Sequence, residues 1–407
     1  MEGTTTRGRA RLCIALLVLL GFALGASEFT VIGVETELAE SFGVGLERVG
    51  ELISWYSAAY AVLTPVLAVV TGRFRRYTLL LAYASVFVAA NVVMTFAPTF
   101  ELLLLSRVLL GGVSGALLAV GITCIPELVE ARRVPGMISL VYAAFSVSMV
   151  VVTSVGRMVS HVLHWRLVFV GAFVLSVAVS VALVALLPRS GATDEPATMR
   201  DQASLLCEPQ VLCGMLVFLF GVGSVYVFYG YVTPYLEGVL GMEPMGASMV
   251  LMAFGVMCFF SNLLSGWLDE RLGLRTLLVC FPVLACLLAG LWALGDAMPW
   301  ALGAVLAVGL VMYFLCVPCV SMFMRTARRR HPKALTLASS LEPTSFNIGI
   351  ATGTAVGGAV VAGPGIAGVG LVGAALALVA WGLGAVTFLL DRRRNGRREE
   401  GPAGLEG

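Results

Sequence analysis

Long apolar runs alternate with short polar punctuation along the whole chain. Twelve runs reach roughly the 20 residues that a helix needs to cross about 30 Å of hydrocarbon. They cover residues 12–34, 50–71, 78–97, 100–123, 136–158 and 166–187, then 211–236, 247–268, 274–294, 299–324, 334–361 and 366–390. Charged or proline-containing turns bound each run. Between the sixth and seventh, the stretch from Pro188 to about Gln210 holds Arg189, Asp194, Glu195, Arg200 and Asp201 and reads as a polar linker. The pattern predicts an all-α membrane protein with twelve transmembrane helices in two six-helix halves, 1–187 and 211–390, followed by a charged tail at 391–407.

Composition supports this reading: 59% of the 407 residues are hydrophobic and 12% charged, against roughly 45–50% and 25% in soluble domains. A net charge of +2 with scattered basic residues gives no reason to expect a nucleic-acid partner. Basic residues instead set topology, because they concentrate in loops on the cytoplasmic side. With the N-terminus inside, Arg7, Arg9 and Arg11, Arg73, Arg75 and Arg76, Arg132 and Arg133, Arg189 and Arg200, Arg271 and Arg275, the cluster 325–333, and the arginines of the tail all fall in cytoplasm. Only Arg48, Arg107, Arg157 and Arg166 of the 26 do not, while the outer loops carry Glu35, Glu37, Glu40, Glu47, Glu51, Glu237 and Glu243. Both termini are thus expected in the cytoplasm of a bacterial cell; the single lysine, Lys333, fits a GC-rich coding sequence.

Arg7, Arg9 and Arg11 before an apolar run, with Ala-Leu-Gly-Ala-Ser at 23–27, resemble a signal peptide, yet the run continues to Val34 and outlasts a usual core of about 7–15 residues. It is read as the first span. The nine cysteines lie in spans or on the cytoplasmic side, so no disulfide framework is expected. Cys316-Val-Pro-Cys319 has redox or metal spacing but no His or acidic companion, and the pair His161 and His164 has no nearby carboxylate. Neither is read as a metal site, and no cofactor is expected.

Two six-helix halves joined by a linker suggest a transporter of parallel repeats, with its site between the halves near mid-membrane. Three motifs narrow the class. The loop after the eighth run reads Gly266-Trp-Leu-Asp-Glu-Arg-Leu-Gly-Leu-Arg275, and its first-half counterpart is Gly72-Arg-Phe-Arg-Arg-Tyr. The fourth run contains Leu105-Ser-Arg-Val-Leu-Leu-Gly-Gly-Val-Ser-Gly115's pattern of Arg107, Gly111 and Gly115. The first contains Gly25-Ala-Ser-Glu-Phe-Thr-Val-Ile-Gly33. These residues resemble the major facilitator superfamily, and the last resembles its drug:proton antiporter branch, in particular the sugar, arabinose-like and chloramphenicol efflux proteins. Ser154-Val-Gly-Arg-Met-Val-Ser, His164-Trp-Arg-Leu-Val-Phe169 and Phe346-Asn-Ile-Gly-Ile-Ala-Thr-Gly353, with Gly357, extend the resemblance over nearly the whole chain. One departure is that Val152-Thr-Ser-Val-Gly156 lacks the proline usual in the branch's fifth-span signature.

The resemblance implies proton-coupled export of a small organic compound by alternating access, with no enzymatic activity. It assigns a conformational role to the loops: Gly72, Arg73, Arg75 and Arg76 in the first half, and Gly266, Asp269, Glu270, Arg271, Gly273 and Arg275 in the second, with Glu270 at the family's Asp position. Gly111, Gly115, Gly353 and Gly357 offer strips for close helix packing. Metabolite uptake or facilitated diffusion, and a receptor that kept a transporter body, remain alternatives.

Four ionisable residues lie inside runs: Glu28, Arg107, Arg157 and Glu342. Such groups are costly in hydrocarbon and are functional candidates. The first run heads outward and the fourth inward, which puts Glu28 and Arg107 at a shared depth of roughly 10 Å from the outer face. Glu28 is the expected proton carrier, with Arg107 its partner; a static ion pair is the competing reading. Glu342 is a second carboxylate where the resembled proteins usually carry an amide or small residue, read as a proton site, a site for a cargo cation, or a solvated acid near a loop. Pro343 beside it suggests a local helix break. Arg157 either snorkels, holds Glu28 or faces an anionic cargo group. Tyr56, Tyr226, Tyr229, Asn262 and Asn347 complete the expected cargo-binding set. The remaining expected partners are the lipid bilayer, protons and a small-molecule substrate, and the protein is expected to act as a monomer.

Overall fold

Helix is the only regular structure among the described residues, which in this computed structural model are 2–71, 74–130, 133–187, 204–294, 297–331 and 335–396. The spans are Glu2–Phe29, Leu46–Thr71, Arg76–Phe96, Phe100–Thr123, Val134–Val162 and Arg166–Leu186, then Pro209–Gly238, Pro244–Leu272, Thr276–Leu294, Met298–Arg330, Leu335–Ala362 and Val369–Gly396. Among the described residues, ten apolar stretches are long enough to cross a membrane. One of them, Pro244–Ala293, folds back on itself at the 3-10 turn Gly273–Arg275, and the second span, with Glu47, Arg48 and Glu51 in its opening turns, completes the twelve. The linker segment 188–203 and the last eleven residues lie outside the described residues, as do Gly72 and Arg73.

The spans pack by the same five pairings in each half. In the first half these are first with fifth and sixth, second with fourth, and third with fourth and sixth. In the second they are seventh with eleventh and twelfth, eighth with tenth, and ninth with tenth and twelfth. Across the divide, the second packs on the eleventh and the fifth on the eighth, again a symmetric pair. The two halves are therefore pseudo-symmetric copies meeting along two equivalent seams. One end of the bundle is basic: Arg9 reaches the Leu186 carbonyl, Arg76 that of Thr123, and Arg330 the Glu208 carboxylate. The other end is acidic and carries Glu35, Glu37, Glu47, Glu51, Glu101 and Glu237.

Local chemistry sets the helix limits. Thr99 accepts the Leu102 N–H at 3.4 Å and starts the fourth span, while Gly273, at φ 54°, ends the eighth. Three departures from the sequence reading bear on the motifs and the site. The first helix stops at Phe29 rather than Val34; Thr30–Val34 is apolar but turns, with Gly33 at φ 105°. The motif from Gly266 to Leu272 forms about the last two turns of the eighth helix rather than a loop. The eleventh helix runs unbroken through Pro343 from Leu335 to Ala362, so the break expected beside Glu342 is absent.

The interruptions fall elsewhere. The seventh span bends between Tyr229 and Val232, and the tenth opens between Val311 and Cys316. Pro318 lacks an N–H, so the Phe314 carbonyl has no helical donor four residues on. Ser265 supplies one at 3.3 Å and accepts the Val317 N–H at 3.2 Å; one turn earlier Ser261 accepts the Tyr313 N–H at 2.9 Å. Two fully buried serines on the eighth span thereby satisfy a backbone break in the tenth, as hydrocarbon requires.

Small residues let spans touch. A Cβ on Gly111 would strike the Tyr56 carbonyl and one on Gly115 the side chains of Thr64 and Tyr60. In the other half, a Cβ on Gly353 would strike the Gly223 backbone, and one on Gly357 the Val227 carbonyl and the Tyr231 ring. At Gly353 both partners are backbone, so neither yields easily. Gly353→Ala is expected to cost about 1–3 kcal/mol through overpacking, read as a lowered midpoint of thermal unfolding of the purified protein in detergent.

Candidate functional site

Arg107 is fully buried in the fourth span and is held entirely by groups of the first and second spans. Its guanidinium donates to the carbonyls of Ser27, Glu28 (2.8 Å) and Leu52 (3.1 Å) and lies 4.4 Å over the Tyr56 ring. The first helix ends at Phe29, so the Ser27 and Glu28 carbonyls belong to its last turn and have no helical donor. Arg107 supplies those donors and places a cation at a helix C-terminus, where the dipole favours it. The structure brings Glu28 and Arg107 together, but through the Glu28 backbone rather than its carboxylate. That carboxylate is 5% exposed, has Tyr56 and Arg107 as its polar neighbours, and leaves Oε2 without a hydrogen bond.

Glu28 lines a cavity of about 200 Å³ between the halves. Phe29, Tyr60, Tyr142, Phe145 and Met149 contribute from the first half; Asn262, Tyr313, Glu342, Phe346 and Asn347 contribute from the second. Two carboxylates from opposite halves thus face one space. Phe346 stacks on Tyr313 at 5.6 Å and 4°, and the Tyr313 hydroxyl crosses the divide to the Met149 sulfur at 3.5 Å. Asn347 donates to the Pro343 carbonyl, as Asn262 does to Cys258, so both line the cavity while braced against their own helices. A larger opening of about 510 Å³ lies between the second and eleventh spans, lined mainly by alanines with Trp55, Glu47 and Glu51. Its lining comes from those two spans alone, with its two carboxylates at the acidic end, whereas the smaller cavity gathers residues from seven spans of both halves and is the stronger candidate.

The other residues singled out in the sequence do not line the smaller cavity. Tyr56 sits under Arg107. Tyr226 and Tyr229 are buried behind the wall, Tyr226 edge-on to Phe346 and Tyr229 stacked on Phe254 at 4.8 Å. Arg157 is 3% exposed and neither snorkels nor touches Glu28: it is clamped between Glu37 of its own half and Glu237 of the other. In the second-half motif, Asp269 rather than Glu270 makes the hydrogen bond, accepting from Ser321 of the tenth span at 2.6 Å, while Arg271 lies over Trp267 and Arg275 over Phe388.

The clamp belongs to a seal at the acidic end that the sequence did not disclose. Glu35, 1% exposed, accepts the Gly33 N–H at 2.7 Å and faces Thr233, Tyr229 and Tyr231 of the other half and Glu37 of its own. Tyr231 packs its hydroxyl against Gly50 and donates to the Thr354 carbonyl at 3.3 Å, and Gly358 abuts the Glu47 backbone. Burial pushes the Glu35 carboxyl up to about 8, with the Gly33 N–H opposing and Glu37 adding to the rise. The only hint in the sequence was the spacing Glu35-Thr-Glu37 two residues after Gly33.

The sequence matches the Major Facilitator Superfamily over residues 17–341. The chain belongs to that family. It is 26% identical over 345 residues to YtbD, an uncharacterized transporter of Bacillus subtilis, covering 84% of this chain and 87% of that one. To the inner membrane transport protein YdhP of Escherichia coli it is 27% identical over 344 residues, covering 84% and 87%. The purine ribonucleoside efflux pump NepI of Salmonella paratyphi A shares 27% identity over 262 residues, 64% of this chain and 63% of that one. Among solved structures, a bacterial homolog of the human lysosomal transporter Spinster, inward-facing and unoccupied, superposes with a TM-score of 0.74 at 14% identity over 94% of this chain and 98% of that one. The protein is a multi-pass membrane transporter of this superfamily.

Two outcomes are expected from the seal. Glu237→Gln removes one of the two carboxylates on a buried guanidinium and costs the sealed arrangement about 1–3 kcal/mol, read as longer and broader distances between spin labels placed across the acidic end. Glu35 gives a pH dependence of defined sign. The sealed state holds its proton up to about pH 8, whereas a hydrated glutamate releases it near 4.5. The contribution of Glu35 to sealing is therefore complete below 4.5, declines by at most about 1.4 kcal/mol per pH unit between the two values, and is gone above 8. The same distances, titrated over that window, should lose their pH dependence in Glu35→Gln.

Proposed function

We propose that the protein exports a small organic compound in exchange for protons across the bacterial inner membrane. The observation that carries this is the Glu28 carboxylate: nearly buried, without a bonded counter-ion, and on the wall of the cavity between the halves. A carboxylate whose hydration changes as its surroundings alternate can trade a proton for cargo, because desolvation favours its neutral form and water or a nearby cation favours its charged form. Efflux is the activity named for the NepI relative, and YdhP is an inner membrane protein, which supports both the direction and the location.

On this reading the basic end faces the cytoplasm, as the excess of arginine there favours. The seal at the acidic end then closes the outer side, and the arrangement is inward-facing like the Spinster homolog with which the chain shares its fold. The bundles 1–187 and 211–390 rock about the seams formed by the second and eleventh and by the fifth and eighth spans, joined by a cytoplasmic linker at 188–210 and followed by the cytoplasmic tail at 391–407. Outward opening breaks the link from Arg157 to Glu237 and exposes Glu35. The chain works as a monomer in the bilayer.

Inverted membrane vesicles challenged with dyes, antibiotics and sugars provide the test. A cargo that drives proton movement in the wild type is expected to drive none in Glu28→Gln, with insertion of the variant into the membrane unchanged. Exchange that persists at the wild-type rate in the variant would sink the proposal.

A further inference from the structure

The cavity has a sign. Among the described residues, two carboxylates line it and no basic side chain does. The two arginines buried nearby are already committed, Arg107 to three backbone carbonyls and Arg157 to Glu37 and Glu237. An anionic cargo would meet like charge with no compensation. An uncharged one would leave any ionised carboxylate in a narrow, aromatic-walled space without a counter-ion, which is costly.

The two acids are not equivalent. Glu28 is set back in the wall beside Arg107 and Tyr56. Glu342 is half-buried on the opposite wall, and among the described residues no basic group stands near its carboxylate. Its electrostatic reach takes in Tyr60 and Tyr142 across the divide. Four residues further along its helix, which continues unbroken through Pro343, Phe346 presents the ring stacked on Tyr313. Aromatic faces attract cations, and strongly so when both partners are desolvated.

We propose that the cargo is a small aromatic cation, whose charge is received by Glu342 and whose ring lies against Tyr313 and Phe346. This rests on the reading of the cavity as the cargo path, and it divides the labour: Glu342 neutralises cargo and Glu28 carries the proton. An unbroken helix suits the first task, because Glu342 is then held at a fixed height opposite Tyr60 and Tyr142. The tenth span is interrupted at Met312–Leu315, where Tyr313 is held by Ser261 of the eighth span and stacked on Phe346, so the aromatic wall faces the carboxylate from a second helix.

Equilibrium dialysis of the purified full-length protein tests this with three permanent cations, N-methylquinolinium, N-methylacridinium and tetraphenylphosphonium, against uncharged quinoline and acridine at alkaline pH. The wild type is expected to bind at least one cation about tenfold or more tightly than the uncharged rings. Glu342→Gln is expected to lose that preference while matching the wild type in gel filtration and thermal midpoint. Glu342→Asp, which keeps the charge on a shorter arm, retains a preference. Equal affinity for charged and uncharged rings in the wild type, no saturable binding of any of the three cations, or a preference surviving in Glu342→Gln overturns the proposal. Proton movement in vesicles is scored separately. Cation preference without proton exchange overturns the coupling to protons and leaves the cationic cargo standing; proton exchange driven only by uncharged compounds does the reverse.

Discussion

A buried guanidinium without a carboxylate is the constraint on which the centre of this molecule depends. Arg107 cannot give up its charge and cannot reach water, so it must be satisfied by acceptors within the protein. The first span provides them by ending early: with the helix stopped at Phe29, the carbonyls of Ser27 and Glu28 are free to accept, and the Leu52 carbonyl adds a third. One side chain thereby fixes the heights of three helices. Gly111, four residues further along the fourth span, keeps that span close enough to Tyr56 for the ring to sit under the guanidinium. Because the carbonyls take the donors, the Glu28 carboxylate is left near a positive charge but not bound to it. A bidentate ion pair would hold Glu28 ionised in every conformation; this arrangement lets its protonation follow hydration.

The same accounting of backbone groups explains which helices break. Pro343 and Pro318 both remove a donor in hydrocarbon, but only the second coincides with an interruption. At Pro318 two serines one turn apart on the eighth span face the gap and bond its free groups, so an open turn is affordable. At Pro343 the helix continues, and the Asn347 amide donates to the Pro343 carbonyl. A proline alone therefore does not mark a break in a membrane, since Pro65, Pro282 and Pro343 all lie inside continuous helices; the break at Pro318 is the one whose free groups the neighbouring serines bond. Those neighbours are 49 to 52 residues distant from the groups they bond, so no local window contains the information.

The fold was legible because hydropathy and charge report directly on the bilayer: twelve runs gave twelve spans, most with ends within a few residues. The misplaced end of the first span shows the limit. Thr30–Val34 is as apolar as the helix before it, and hydropathy registers burial rather than hydrogen bonding, so the run was read to Val34. Of the site, the shared depth of Glu28 and Arg107 followed from helix rise and direction, and the placement of Glu342 on the facing half followed from topology. What each side chain bonds did not follow. Arg157 reads locally as an arginine near a span end, and its role is fixed by Glu37 and Glu237, 120 and 80 residues away. Tyr226 and Tyr229 look like cavity residues by depth, but helix rotation turns them into the wall.

The two seams between the halves place these parts in mechanical relation. The seam of the second and eleventh spans is the pseudo-symmetric image of that of the eighth and fifth, so the proposed rocking about them would displace the ends of the bundle most and its centre least. The cavity with Glu28 and Glu342 lies near that centre, and the acidic seal lies at an end. Three carboxylates and one guanidinium occupy the seal, so it holds a surplus of negative charge that is tolerable only while Glu35 stays neutral. On the proposed motion, separating the halves there would admit water, ionise Glu35 and leave Arg157 with Glu37 while Glu237 loses its cation. On the proposed motion, the end that would move most is thus the end where protonation and closure are linked, whereas the central carboxylates would keep their positions and change only their access to water.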